Sequence, residues 1–142
     1  VVPAPPERTV QFVDVRDLGR WLVELLERDE GGAFNATRST VSWRELIDSA
    51  RSVADSDATP VWIPDEFLLE HEVGEWMELP MWLTDPEWVG MNQADVSRAE
   101  AAGLSHRPLE DTIRGTLDEA AMTEDAGMKP ERERELLEAW RG

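Results

Sequence analysis

The sequence predicts an α/β fold, a few strands with five or so helices, and three observations predict it. Short runs alternate apolar and polar residues, as strands do; longer runs repeat apolar residues every three or four positions, as helices do. The two kinds of run take turns over the first half of the chain, in the order β-α-β-α-β-α, and helices alone follow.

The opening 1-VVPAPPE-7 is Pro-rich and extended, so residues 1–9 read as a linker or cut end, and residues 10–142 as a single lobe. The stretch 10-VQFVDVRDLGRWLVELLE-27 is a strand running directly into a helix. Val10, Phe12 and Asp14 alternate with Gln11, Val13 and Val15, which puts apolar residues on both faces and suits an interior or parallel strand. Asp14 stands where an N-cap carboxylate accepts backbone N–H bonds, and Asp17 lies near the positive end of the helix. Leu18, Trp21, Leu22, Leu25 and Leu26 form one wide apolar stripe, and 29-DEGG-32 stops the helix.

A short strand, 33-AFNAT-37, comes next with Phe34 inward. Ser42 and Glu45 then make an S-x-x-E capping box, with Val41 and Leu46 as its hydrophobic staple. That helix runs to about Ala54 with Leu46, Ile47, Ala50 and Val53 inward. The proline-flanked 60-PVWIP-64 suits an edge strand, and Asp65 is expected to cap a short helix carrying Phe67, Leu68 and His71.

The segment 73-VGEWMELPMWLTDPEWVGM-91 fits no single period, and Pro80 and Pro86 break any long helix in it. After it, 95-DVSRAEAAG-103 reads as a helix stopped by Gly103 and Leu104 in a Schellman-like turn. A helix over 107–121 starts with Pro108 at N1 and turns Leu109, Thr112, Ile113, Thr116, Leu117 and Ala120 inward. A last helix from Pro130 to about Trp140 buries Leu136, Leu137 and Trp140.

The composition excludes several classes of function. Thirty-one acids against 14 bases give a net charge of −17, and no basic patch interrupts it, so a phosphate backbone would be repelled and nucleic acid is not an expected partner. No apolar run is long enough to cross a bilayer, and no secretory leader is evident, so a cytoplasmic protein without membrane attachment is expected. Zero Cys removes thiolate nucleophiles and Cys-based metal sites; zero Tyr and the lack of a glycine-rich phosphate loop remove further catalytic arrangements.

Three stretches, 11-QFVDVRDLGRWLVELLE-27, 32-GAFNAT-37 and 95-DVSRAEAAGLSHRPLEDTIRGTL-117, resemble the carboxyl-terminal portion of the NAD-dependent epimerase/dehydratase family, the extended short-chain dehydrogenase/reductases. The tail 130-PERERELLEAWR-141 looks like endings of that family too. The resemblance implies the carboxyl-terminal lobe of a Rossmann-type protein: the Val10–Asp14 strand would join the large parallel sheet of the nucleotide-binding half, with its partners earlier in the chain. The glycine-rich turn and the Tyr-x-x-x-Lys pair of the family are both missing here. The expectation is therefore a substrate-binding portion that holds no cofactor and no catalytic residue of its own. The parent would be an NAD(P)-dependent oxidoreductase, epimerase or dehydratase using NAD or NADP, and this piece alone would be inactive. A non-catalytic ligand- or partner-binding regulatory protein of the same fold is the alternative.

Further implications concern partners and substrate. The partners would be a small-molecule substrate and the amino-terminal nucleotide-binding half, and a strand edge exposed by the loss of that half is a place for self-association. Relatives that act on nucleotide sugars often carry an Arg where this chain has Val10, so a less charged substrate is expected; Arg8 is a candidate substitute.

Trp76, Met77, Leu79, Pro80, Met81 and Trp82 have two readings. They are the wall of a substrate pocket, Trp and Met giving a large adaptable apolar surface, or a loop that simply covers the core. His71 has an acid/base reading and a plainer one as a solvated helix residue beside Glu70 and Glu72; His106 reads as a turn residue. Two His so far apart make no zinc site. Asn35 and Arg16 match recurrent family positions, and both are adequately explained as structural, Asn35 bonding backbone and Arg16 pairing with Asp17 or a neighbouring Glu.

Overall fold

The apolar repeat after Asp14 folds as α1 (Val15–Glu27) in the computed structural model of the chain, which describes residues 1–119 and 127–142. The Asp14 carboxylate accepts the Arg16 backbone N–H at 2.8 Å, satisfying one of the donors a helix start leaves open. The second helix, α2 (Trp43–Val53), starts at Ser42, whose Oγ accepts the Glu45 N–H at 3.1 Å as the capping box requires. Then come α3 (Asp65–Glu70), α4 (Ser97–Ala101), α5 (Leu109–Glu119) and α6 (Pro130–Arg141), with a 3-10 turn over Pro86–Asn92.

Gly103, at φ +96°, closes α4 in a Schellman turn. Its N–H donates to Glu100 O at 2.9 Å, and that of Leu104 to Ala99 O at 2.9 Å. Pro108 stands one place before α5 rather than inside it. Ala120 and Ala121, expected in the same helix, lie outside the described residues.

The strands are two residues each and form two small sheets, so the molecule is mixed α/β with helices predominating. β1 (Val2–Pro3) runs parallel to β4 (Trp62–Ile63), and β2 (Thr9–Val10) runs antiparallel to β3 (Val41–Ser42). This corrects the expectation for Val10–Asp14: the strand is shorter, and its partner lies later in the chain, in an antiparallel pair. The physical reason is Gln11. Its side-chain amide donates to Arg38 O at 3.2 Å and Ala94 O at 3.1 Å and accepts from Ala94 N at 2.8 Å, while its backbone N–H goes to Asn92 Oδ1. Loops thus satisfy the chain from residue 11 onward, and the ladder ends at Val10.

Two more local expectations change. Residues 33–37 are not a strand; Phe34 stands edge-on to Trp21 at 5.2 Å, and Asn35 Nδ2 donates to Asp95 O at 2.9 Å. Asp65 does not cap α3, whose N-cap is Pro64. Its carboxylate instead receives Trp82 Nε1 at 2.9 Å and the Arg8 guanidinium. The opening residues are extended as read, yet also packed: Val2 and Pro3 are buried, and Ala4 N donates to Ile63 O at 2.8 Å.

Three apolar clusters hold the elements together. Ile63, Leu68, Val73, Leu79, Trp82 and Leu136 form the first, Val2, Val10, Val41 and Trp43 the second, and Trp21, Leu25, Ala99 and Leu104 the third. In α6 only Leu136 is fully inside; Trp140 is partly exposed but stands edge-on to Phe67 at 5.0 Å. The α1 stripe is half covered. Trp21 and Leu25 are buried, whereas Leu22 is 48% and Leu26 80% exposed, with Val15 and Val23 beside them also exposed.

Candidate functional site

A broad open cleft of about 1120 Å³ lies between residues 12–16 and α5, with Leu46 of α2 and Met81 on its walls. The apolar lining comes from Phe12, Val13, Val15, Ile113 and Leu117; Thr112, Gly115 and Thr116 add a small-residue strip along α5, and Asp118 and Glu119 close its end.

Buried charges hold residues 14–17 in place. Asp14 and Asp17 are 8% and 1% exposed, so each carboxylate needs a partner. Arg16 meets Asp14 in a fork, Nε to Oδ1 at 3.0 Å and Nη2 to Oδ2 at 2.7 Å, and Nη2 also donates to Asp111 O at 3.1 Å. Arg107 reaches Asp17 three ways: its backbone N–H at 2.9 Å, Nε at 3.1 Å and Nη2 at 2.9 Å. Arg107 Nε also lies 3.3 Å from Asp14. The start of α1 is thereby tied to the residues that enter α5, and the two walls of the cleft are fixed together.

These contacts set the titration. The Arg16 hydrogen bond, opposed by burial, holds the Asp14 carboxyl well below the usual carboxylate range. Burial pushes Asp17 up, but the hydrogen bonds and charge of Arg107 outweigh it and leave Asp17 below its ordinary value. A carboxylate so stabilised is a poor general base, and both oxygens of Asp14 are engaged. Among the described residues the lining carries no His, Lys, Ser or Cys; beside the Asp14–Arg16 pair its polar groups are the hydroxyls of Thr112 and Thr116 and the carboxylates of Asp118 and Glu119.

Gly115 has a specific reason to be glycine. A Cβ there would stand 2.5 Å from Arg16 Nη2 and 2.6 Å from Nη1, so the guanidinium lies directly across that turn of α5. The helix gives up about 1 kcal/mol of propensity at this position to let it through.

Of the six residues named from the Trp/Met segment, Met81 lines the cleft. Leu79 and Trp82 sit in the first apolar cluster, where they serve the core, and Trp76, Met77 and Pro80 face solvent. Trp76 and Met81 both have positive φ, +62° and +65°, in the loop whose ends meet where Trp76 N–H donates to Trp82 O at 3.2 Å. His71 stacks on Phe67 at 3.9 Å with Nδ1 2.9 Å from Phe67 O, a packed rather than solvated residue. His106 is half-buried, and burial, then the Arg38 charge, lowers its pKa. Arg16 pairs with Asp14, not with Asp17, which belongs to Arg107 and lies 3.6 Å from Arg20.

The sequence reading missed Phe12 and Val13 as cleft walls and Gly115 altogether. A glycine inside a helical period, two positions from each of Ile113 and Leu117, was the available signal. Among the described residues no group of three or more His, Cys, Asp or Glu is placed to hold a metal ion, and no helix is long and apolar enough to cross a membrane. Compared with known proteins, the chain matches no family model, no curated sequence and no solved structure.

Proposed function

We propose that this chain is the substrate-binding portion of an NAD(P)-dependent oxidoreductase, epimerase or dehydratase of the extended short-chain dehydrogenase/reductase type, working in the cytoplasm. A nucleotide-binding half supplies the glycine turn, the NAD or NADP and the Tyr–Lys pair. The observation that carries the reading is the uncovered apolar side of α1, which passes through Val15 into the cleft. Four large apolar side chains on one 13-residue helix form a face of the kind that another body covers. A substrate held in the cleft would then lie beside that body, where a cofactor can reach it.

The experiment is to express the product of the native gene and read any segment that precedes this chain. A glycine turn and Tyr-x-x-x-Lys there support the proposal; a native product of 16.1 kDa with neither overturns it. The 142-residue chain alone should show no NAD(P) binding by calorimetry, and clear binding counts against the reading. A non-catalytic regulatory protein of the same fold is the second reading, favoured by the engagement of Asp14 and Arg16 in each other rather than toward the cleft; an intact glycine turn without Tyr-x-x-x-Lys would select it.

A further inference from the structure

We propose that the cleft between residues 12–16 and α5 takes an apolar small molecule that carries no negative charge, with a cationic one held more tightly than a neutral one. Size and lining come first. A volume of about 1120 Å³ walled by Phe12, Val13, Ile113 and Leu117 matches a drug-sized organic body, whose binding rests on apolar contact. The charge of the walls then selects among such bodies. Asp14 and Arg16 cancel, each engaged by the other, so the net charge of the lining comes from Asp118 and Glu119. The surrounding field has the same sign, since the chain carries −17.

An anionic ligand would need a cation, and the basic residue that lines the cleft among the described residues, Arg16, is already paired. Arg16 holds Asp14 and the Asp111 carbonyl. Arg8 holds Asp65, and Val10 is fully buried against Val41 and Trp43, so β2 presents no guanidinium for a diphosphate. Naming the bound molecule a substrate rests on the reading above; the binding preference does not.

The test uses the 142-residue chain and three dyes whose fluorescence rises on binding: neutral Nile red, cationic crystal violet and anionic anilinonaphthalene sulfonate. Nile red and crystal violet should bind, crystal violet the tighter, and anilinonaphthalene sulfonate at least about tenfold more weakly than Nile red, as like charge requires. Leu117→Gln, at a half-exposed cleft position, should weaken Nile red several-fold with the circular dichroism unchanged, whereas Leu26→Gln on the open side of α1 should leave it alone. Asp118→Lys with Glu119→Lys should raise the affinity for the anionic dye and lower that for crystal violet. The proposal is overturned if no dye binds, if the anionic dye binds as tightly as Nile red, or if Leu26→Gln removes binding while Leu117→Gln does not. None of these results depends on an upstream segment. A failed dye experiment leaves the family reading standing, and a missing cofactor turn leaves a positive dye result standing.

Discussion

The cluster around Trp82, drawn from β4, α3, the Trp/Met turn and α6, is sealed, whereas the third cluster, on the helical repeat of α1, is half open. Around Trp82, segments from α3, the Trp/Met turn and α6 close on every side: Ile63, Leu68 and Trp82 have no exposure, and Leu136 has 1%. Even the polar edge of Trp82 is satisfied, its Nε1 held by Asp65. On α1, Trp21 and Leu25 find Ala99 and Leu104, small or short partners on one side, and Leu22 and Leu26 find none among the described residues. An amphipathic stripe states how much surface a helix is able to bury, and its neighbours decide how much it does bury.

The largest expected effect lies in the sealed region. Trp82→Ala should cost about 3–5 kcal/mol, because the cavity and the orphaned Asp65 bond add to the lost apolar burial. Urea unfolding will read it, and a loss under 1 kcal/mol would mean that the cluster is as loose as the α1 side. Next comes the seam that joins α1 to α5. Arg107→Ala should cost about 3 kcal/mol, since Asp17, at 1% exposure, is left with only a backbone N–H and a 3.6 Å approach from Arg20.

The same seam predicts a pH dependence. Asp14 and Asp17 have folded pKa values below the ordinary 3.8, so the stability they contribute is present above that pH and lost as pH falls through the folded values. His106 acts in the same direction earlier. Its lowered pKa means that the unfolded chain protonates first, so stability declines as pH drops below about 6.5. Thermal melts should therefore fall gently below pH 6.5 and steeply below pH 4, with the steep part flattened in Asp17→Asn.

Smaller effects sharpen the contrast. Ser42→Ala should cost about 1 kcal/mol through the lost cap. Gly115→Ala should recover about 1 kcal/mol of helix propensity only when Arg16 is also Ala, because in the wild type the new Cβ meets the guanidinium. Equal gains in both backgrounds would refute that packing. Smallest of all, Leu26→Lys should change stability by about 0.5 kcal/mol or less. Its effect should appear in sedimentation instead, as reduced self-association at high concentration.

The local features of this fold were legible, and the long-range ones were not. Asp14 as a cap, Ser42 with Glu45, the Gly103 stop and the stripe through Trp21 and Leu25 each depend on residues within one or two helical turns, where spacing carries the information. Val2–Pro3 pairing with Trp62–Ile63 depends on a parallel partner sixty positions away, and a Pro-rich opening reads equally as a linker. Asp65 looked like a cap because it starts a helix, but Trp82 and Arg8 compete for its carboxylate and win. The cleft is hardest of all, since its two walls are separated by about a hundred residues. Only Ile113 and Leu117, half covered on α5, and Gly115 between them hint from one side that something is missing there.

The tie between Asp17 and Arg107 also governs timing. The two residues are 90 positions apart, Gln11 and Ala94 are 83 apart, and Val2 waits for Trp62. At a synthesis rate of about 5–20 residues per second, Asp17 emerges roughly 5–18 s before its arginine exists. Through that interval a nascent α1 carries an acid whose near cation is Arg20 alone, and an apolar stripe that has no cover. Docking it early would bury the acid without its arginine, so α1 is expected to settle only once Arg107 has been made, whereas Val10 can pair with Val41 well before that. Within this chain α1 is made early and seated late.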